Sequence, residues 1–152
     1  MKQDNQGPHI PLDAHLCFSL YACSRAIFRM YRPLLDDLDL TYPQYLVLLA
    51  LWEHETMSVK DISEQLVLDS GTLTPMLKRM EAAGLVRRER SKEDERVLHI
   101  RITDKGIALK DQSMCVPMSL LEASGMSEAE IGVLNGAIQK LLHQINESSS
   151  AK

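Results

Sequence analysis

Apolar residues recur along most of this chain at spacings of three and four, the period of an α-helix, and strict alternation is confined to one short stretch. The first periodic segment predicts a helix over 13–38, capped by Asp13 and kinked at Pro33. Its apolar residues, Leu16, Phe18, Tyr21, Phe28, Tyr31 and Leu35 among them, cover more than one face. A helix that apolar in a chain of 152 residues points to a subunit interface. Thr41-Tyr-Pro-Gln44 is a capping box with proline in the first turn, and it opens a helix that ends near His54. Ser58 caps the next helix, which ends near Leu66 or Val67. Asp69 or Ser70 caps a further one that runs to Ala83, with Gly84 as the residue that stops it. Ile62, Leu66, Leu73, Leu77 and Met80 fall at helical spacing and join those two helices in one core, a helix-turn-helix. Pro75 predicts a local irregularity rather than a break, because the apolar period continues across it.

The alternating stretch follows at once. Leu85 to Arg90 and Val97 to Ile102 read as two strands joined by the polar loop Ser91 to Arg96, a charged hairpin of the kind called a wing. Thr103 caps a helix that continues to about Val116 and meets Pro117. After a break at Gly125, Ser127-Glu-Ala-Glu130 is a second capping box. Ile131, Leu134, Ile138, Leu141, Leu142 and Ile145 then form a stripe on the last helix. Residues 1–11 and 148–152 are polar and read as loose tails, the second disordered by composition. The fold class is mostly α, a winged helix-turn-helix over about 42–102.

Composition narrows the function. The chain is 45% hydrophobic and 5% aromatic, which favours helices over a β-sandwich. Its longest apolar run, Tyr45 to Trp52, is too short to span a bilayer, and the first residues lack a signal-peptide core, so a cytoplasmic protein without membrane contact is expected. Three irregularly spaced cysteines make neither a disulfide framework nor a zinc site. No Gly-x-Ser-x-Gly, phosphate-binding glycine loop or metal-ligand spacing occurs, so no catalytic residue, metal or cofactor is assigned. His54 with Glu53 and Glu55 reads as an exposed helix end. The net charge is −4, yet Lys78 to Arg101 holds eight Lys/Arg against five Asp/Glu, a local +3 that leaves −7 on the rest. A basic patch on an acidic body can bind DNA through one face.

That patch carries a DNA-reading pattern. Ser70, Thr72 and Thr74 offer hydroxyls near the start of the third short helix, and Gly71 lets the backbone come close. Pro75 lies beside them, and Lys78 and Arg79 follow within reach of guanine edges or phosphates. Helix capping is the alternative duty for the hydroxyls. Arg88 on the adjoining strand suits flanking phosphate. At the hairpin tip, Arg96 can insert into a narrow minor groove with Asp94 holding its guanidinium. The alternative there is an ordinary solvated salt bridge.

Cys17 lies early in the first helix, where the dipole favours a thiolate, with Tyr21 one turn on. Tyr31 and Tyr42 flank Pro33 and the following turn, so they approach Cys17 only across an interface. A phenol O–H can bond a thiolate. Plain packing is the competing role for Cys17 and the favoured one for Cys23.

Leu16-Cys-Phe-Ser-Leu-Tyr21, Tyr31-Arg-Pro-Leu-Leu35, Thr41-Tyr-Pro-Gln-Tyr45, Leu51-Trp-Glu-His54, Leu68-Asp-Ser-Gly-Thr-Leu-Thr-Pro75, Lys78-Arg79 and Asp94-Glu-Arg96 together resemble the organic-hydroperoxide sensors of the MarR family, the OhrR type. The resemblance covers about residues 12–110 well and the last third loosely. It implies a homodimeric repressor whose helices over about 13–38 and 104–147 make the dimer. Two recognition helices would read an inverted-repeat operator about one turn of DNA apart. It implies that Cys17 is the peroxide-reactive thiol, bonded by Tyr31 and Tyr42 of the partner subunit with Tyr21 nearby. Members of this type either trap the sulfenic acid with a low-molecular-weight thiol or close a disulfide to a cysteine of the other chain. The second cysteine of that pattern falls near Leu121 or Glu122, where this chain has none, so the first route is favoured and Cys115 is the remaining candidate resolving thiol. Two rivals stand beside this expectation: a MarR-type repressor released by a small phenolic or other ligand with Cys17 inert, and a thiol peroxidase that shares the sensor's pattern.

Overall fold

Short polar side chains set where the helices of this computed structural model begin, over the residues 9–151 that it describes. After a single 3-10 turn, Leu12–Ala14, the order is α1 (Leu16–Asp36), α2 (Tyr42–His54), β1 (Thr56–Ser58), α3 (Val59–Leu66) and α4 (Ser70–Ala82). There follow β2 (Val86–Arg90), β3 (Leu98–Ile102), α5 (Asp104–Gln112), α6 (Cys115–Ser124) and α7 (Glu128–Ser150). Thr41 and Gln44 make the reciprocal bonds of a capping box at α2, and Ser127 and Glu130 repeat it at α7. Ser58, Asp69 and Thr103 each accept a first-turn N–H, from Asp61, Thr72 and Gly106. Each such cap is worth about 1 kcal/mol. Helix α4 runs unbroken across Pro75 and ends before Gly84, whose φ of 77° lies in the left-handed region.

Four expectations are corrected. Asp13 does not cap the first helix: it lies in the 3-10 turn, whose bonds run from Ala14 N–H to the Pro11 carbonyl and from His15 N–H to the Leu12 carbonyl. His15 is extended, so α1 begins at Leu16 and Cys17 is its second residue. The helix after Thr103 stops at Gln112, and Pro117 stands in the first turn of the next helix. A proline there sacrifices no intrahelical bond, so it starts a helix as readily as it ends one. The segment from Ser148 is helical to Ser150, each serine hydroxyl bonding the carbonyl four residues back. A third strand, β1, also joins the wing.

The sheet is antiparallel in the order β1-β3-β2, with Met57 and Arg88 both opposite Ile100. Residues through Ser113 form one compact unit and those from Met114 a second. In the first unit α2 is central: Val47, Leu48 and Leu51 are fully buried, with Ile62, Leu73, Leu77 and Met80 from α3 and α4 and Val86 and Ile100 from the sheet. Leu66 of the expected core is half-buried. Gly106 locks α5 onto this core. A Cβ there would fall 2.5 Å from the Leu85 carbonyl oxygen and 2.8 Å from Ile102 Cγ1, and the Gly106 carbonyl accepts the Trp52 indole N–H at 2.9 Å.

The second unit is α6 and α7, joined at Gly125 with φ 64°. The 23 residues of α7 make a helix of about 34 Å. Its side chains Val133, Leu134, Ile138, Leu142 and Ile145 are exposed, as are Leu16, Phe18, Tyr21 and Phe28 of α1. Among the described residues no helix is long and apolar enough to cross a membrane.

Candidate DNA interface and thiol site

Helix α4 divides cleanly into two faces. Leu73, Met76, Leu77 and Met80 are buried, which turns Ser70, Gly71, Thr72, Thr74, Pro75, Lys78 and Arg79 outward. Asp69 Oδ1 takes the Thr72 N–H at 2.6 Å, so capping falls to Asp69 and the three hydroxyls stay available. At the other end Lys105 Nζ donates to the Ala83 carbonyl at 2.8 Å and the Thr103 hydroxyl donates to the Gly84 carbonyl. A cation at a helix C-terminus meets the negative end of its dipole. The recognition helix is therefore pinned at both ends and bare along one side.

The wing tip is built as tightly. Ser91 Oγ accepts the Glu93 and Asp94 N–H groups, and Ser91 N–H and Val97 N–H bond the Val97 and Asp94 carbonyls at 2.9 Å each. Arg96 donates to Asp94 three times, from its backbone N and Nε to Oδ1 at 3.1 Å and from Nη2 to Oδ2 at 3.2 Å. The guanidinium beside it holds the Asp94 carboxyl below its ordinary value. This bidentate pair leaves the Arg96 side chain 91% exposed, aimed but not covered. Arg88 differs: it is half-buried, and its guanidinium Nε and backbone N–H are both taken by Glu81.

On α1, Cys17 and Cys23 are exposed thiols. Tyr21 is exposed, its hydroxyl accepting from Arg25 Nη1 at 3.0 Å. Tyr31 is buried and Tyr42 half-buried, their rings 6.0 Å apart, and Phe28 lies 4.8 Å from Tyr42. Burial pushes both phenols above the ordinary tyrosine value of 10.0, and for Tyr31 the neighbouring Tyr42 adds to it. Both are therefore O–H donors at neutral pH. A cavity of about 340 Å³, lined by Phe28, Leu35, Leu40 and Tyr42 and by the polar Arg32, Asp36 and Thr41, opens beside Tyr42. Cys17 stands fourteen residues before Tyr31 on one helix, about 21 Å along its axis, so a single chain does not bring the thiol to the phenols. Cys115 is the first residue of α6 and exposed.

Comparison with known proteins decides the family. The family described as transcriptional regulator SarA/Rot matches residues 29–113. The organic hydroperoxide resistance transcriptional regulator of Bacillus subtilis (strain 168) is 49% identical over 96% of this chain and 99% of its own. The chain belongs to the MarR family of transcriptional regulators, on its organic-hydroperoxide sensor branch. The solved structure of reduced AbfR bound to DNA superposes with a TM-score of 0.72 at 40% identity, covering 88% of this chain and 96% of that one. A structure of AbfR with its disulfide formed superposes at 0.62 and 38% identity, over 86% and 92% of the two chains.

In this MarR-family regulator the fold confirms a winged helix-turn-helix with two short helices presenting the second to solvent. Sequence reasoning missed three residues that organise the site: Glu81, Thr103 as a brace for α4, and Lys105. Their signal exists only in three dimensions, because the turn at Gly84 brings together positions seven apart and the β2–β3 hairpin brings together positions about twenty apart. Thr103 also caps α5, the one duty its sequence position shows.

Proposed function

We propose that the chain is a homodimeric, cytoplasmic repressor that binds an inverted-repeat operator and leaves it when Cys17 is oxidised by an organic hydroperoxide. The outward row on α4 reads the major groove: Ser70, Thr72 and Thr74 bond base edges or phosphates over the close approach at Gly71 and Pro75, and Lys78 and Arg79 supply charge. Arg96, aimed by Asp94, enters the flanking minor groove. Arg88 reaches phosphate only with whatever Glu81 leaves free. The apolar side chains exposed on α1 and α7 supply the dimer surface.

The observation that carries the sensing half is the split between an exposed thiol and two protonated phenols on the same helix system. In the dimer the Tyr31 and Tyr42 hydroxyls bond Cys17 of the partner subunit, with Tyr21 close to its own Cys17. The sulfur attacks one peroxide oxygen, the O–O bond breaks, an S–O bond forms, and the alcohol departs with the proton, leaving a sulfenic acid. The apolar walls beside Tyr42 suit the organic group of the peroxide. A low-molecular-weight thiol then displaces water from the sulfenic acid to give a mixed disulfide, with Cys115 as the candidate alternative thiol. The bulk displaces the phenols and turns the two recognition helices out of register. The thiol reacts once per event, as a sensor and not as an enzyme that turns over.

The test uses a duplex selected by the wild-type protein from a random-sequence pool. Binding is measured before and after stoichiometric cumene hydroperoxide, then with an added thiol, for wild type and Cys17→Ser. Release in wild type alone is expected. Release of Cys17→Ser to the same extent would refute the mechanism, and indifference of both proteins to peroxide would move the inducer to a small ligand.

A further inference from the structure

We propose that Glu81 is a positioning residue for DNA reading: it fixes the angle at which the wing leaves the recognition helix and so places Arg96. The inference rests on the wing contact in the proposed function. Glu81 stands in the last turn of α4, where a carboxylate meets the negative end of the helix dipole and is disfavoured. It is offset there by Arg88. The carboxylate reaches across the Gly84 turn and accepts the Arg88 backbone N–H at 2.8 Å on one oxygen and Nε at 3.0 Å on the other. Those bonds hold its carboxyl below the ordinary value, so the clasp is charged at neutral pH.

The clasp matters because open space separates the outer part of the wing from the helix. A cavity of about 340 Å³ separates them, with Thr74 and Leu77 of α4 on one wall and Arg96, Val97 and Leu98 of the hairpin on another. Packing holds the base of the wing, where Val86 and Ile100 are buried in the core and Thr103 and Lys105 bond the end of α4. Beyond that base, the β1·β3 ladder ties the sheet to the start of α3, and Glu81 ties β2 to the end of α4. The tip lies about 15 Å along the hairpin from Arg88 at ~3.3 Å per residue. A swing of about 10° at the clasp therefore moves Arg96 by roughly 2.6 Å, more than a hydrogen bond tolerates.

The experiment is a double-mutant cycle on the full chain with the selected duplex, using Glu81→Gln and Arg96→Ala singly and together. Glutamine keeps the size and loses the charge. Glu81→Gln is expected to weaken binding about tenfold with the intact wing and less than twofold in the Arg96→Ala background. Any fall in melting temperature should be the same in both backgrounds, with the fold intact by circular dichroism. The variant should also lose preference at the flanking positions while keeping that at the half-site cores, a pattern that general destabilisation does not produce. An equal cost in both backgrounds, or no cost at all, overturns the inference while leaving the wing contact standing. If Arg96→Ala binds as wild type, the wing makes no contact, and this inference and that part of the proposed function fall together.

Discussion

Replacing Gly106 by alanine should loosen the joint between α5 and the core by an amount that the structure sets. The added methyl would sit 2.5 Å from a backbone oxygen, Leu85 O, and 2.8 Å from Ile102 Cγ1. The first is not a side-chain end that can swing away, so the helix must move. Overpacking of that kind costs about 1–3 kcal/mol. The shift also pulls the Gly106 carbonyl from the Trp52 indole N–H, now at 2.9 Å, for roughly a further 1 kcal/mol. Alanine's better helix propensity returns at most about 1 kcal/mol. The net is a loss of roughly 1–3 kcal/mol, or about 3–10 °C in melting temperature for a chain of this length. The assay is thermal unfolding at fixed protomer concentration, because the proposed dimer would make melting concentration-dependent. Trp52 is the chain's one tryptophan, so native-state emission reports the joint directly. A Trp52→Phe, Gly106→Ala double variant should lose less than the sum of the singles. A Gly106→Ala protein that melts at or above wild type with unchanged emission would show that the backbone gives way freely and refute the reasoning.

Three further outcomes are expected. Lys78→Ala should weaken binding to specific and unrelated duplexes alike and lower the salt slope by about one, read from titrations at several salt concentrations; an unchanged slope would remove Lys78 from the phosphates. Val67 holds φ 54° as an exposed β-branched residue in the turn between α3 and α4, so Val67→Asn should raise stability by about 1 kcal/mol in denaturant unfolding, and a loss would mean that the left-handed turn is not strained. Glu81, Asp94 and Glu130 all have folded carboxyl values below their ordinary 4.5, 3.8 and 4.5. Their stabilisation is present above those ordinary values and is lost as pH falls through the lower folded ones, so melting temperature should decline on acidification and Glu130→Gln should flatten part of that decline.

Much of the fold is legible in the chain because short-range chemistry specifies it. Thr41, Ser58, Asp69, Thr103 and Ser127 each mark a helix start within a few residues of sequence, and Gly84 and Gly125 mark two ends. The outward hydroxyls of α4 follow from the apolar period of Leu73, Leu77 and Met80. What is not legible has longer reach or smaller extent. Three residues, Thr56–Ser58, are too few to show alternation, so β1 is seen only once β3 lies beside it. Asp13 has the chemistry of a cap, but the tight turn from Pro11 uses up its position. Pro117 is ambiguous by nature, since proline suits the residue after one helix and the first turn of another. Among site residues, the Asp94–Arg96 pair was readable because two positions separate its members. The Glu81–Arg88 clasp crosses a chain reversal, and the link between Cys17 and two distant phenols is carried by family resemblance rather than by any spacing.

The spacing of Cys17 and Tyr31 on one helix has a genetic consequence. If thiol and phenols meet only across the dimer, each sensing site is the joint property of two polypeptides. One allele lacking Cys17 and another lacking Tyr31 and Tyr42 would each be blind alone. Expressed together, their mixed dimer carries one wholly inactivated site and one wholly intact site, so two defective copies restore a response that neither possesses. The heritable unit of peroxide sensing would then be the pairing of chains, not the chain.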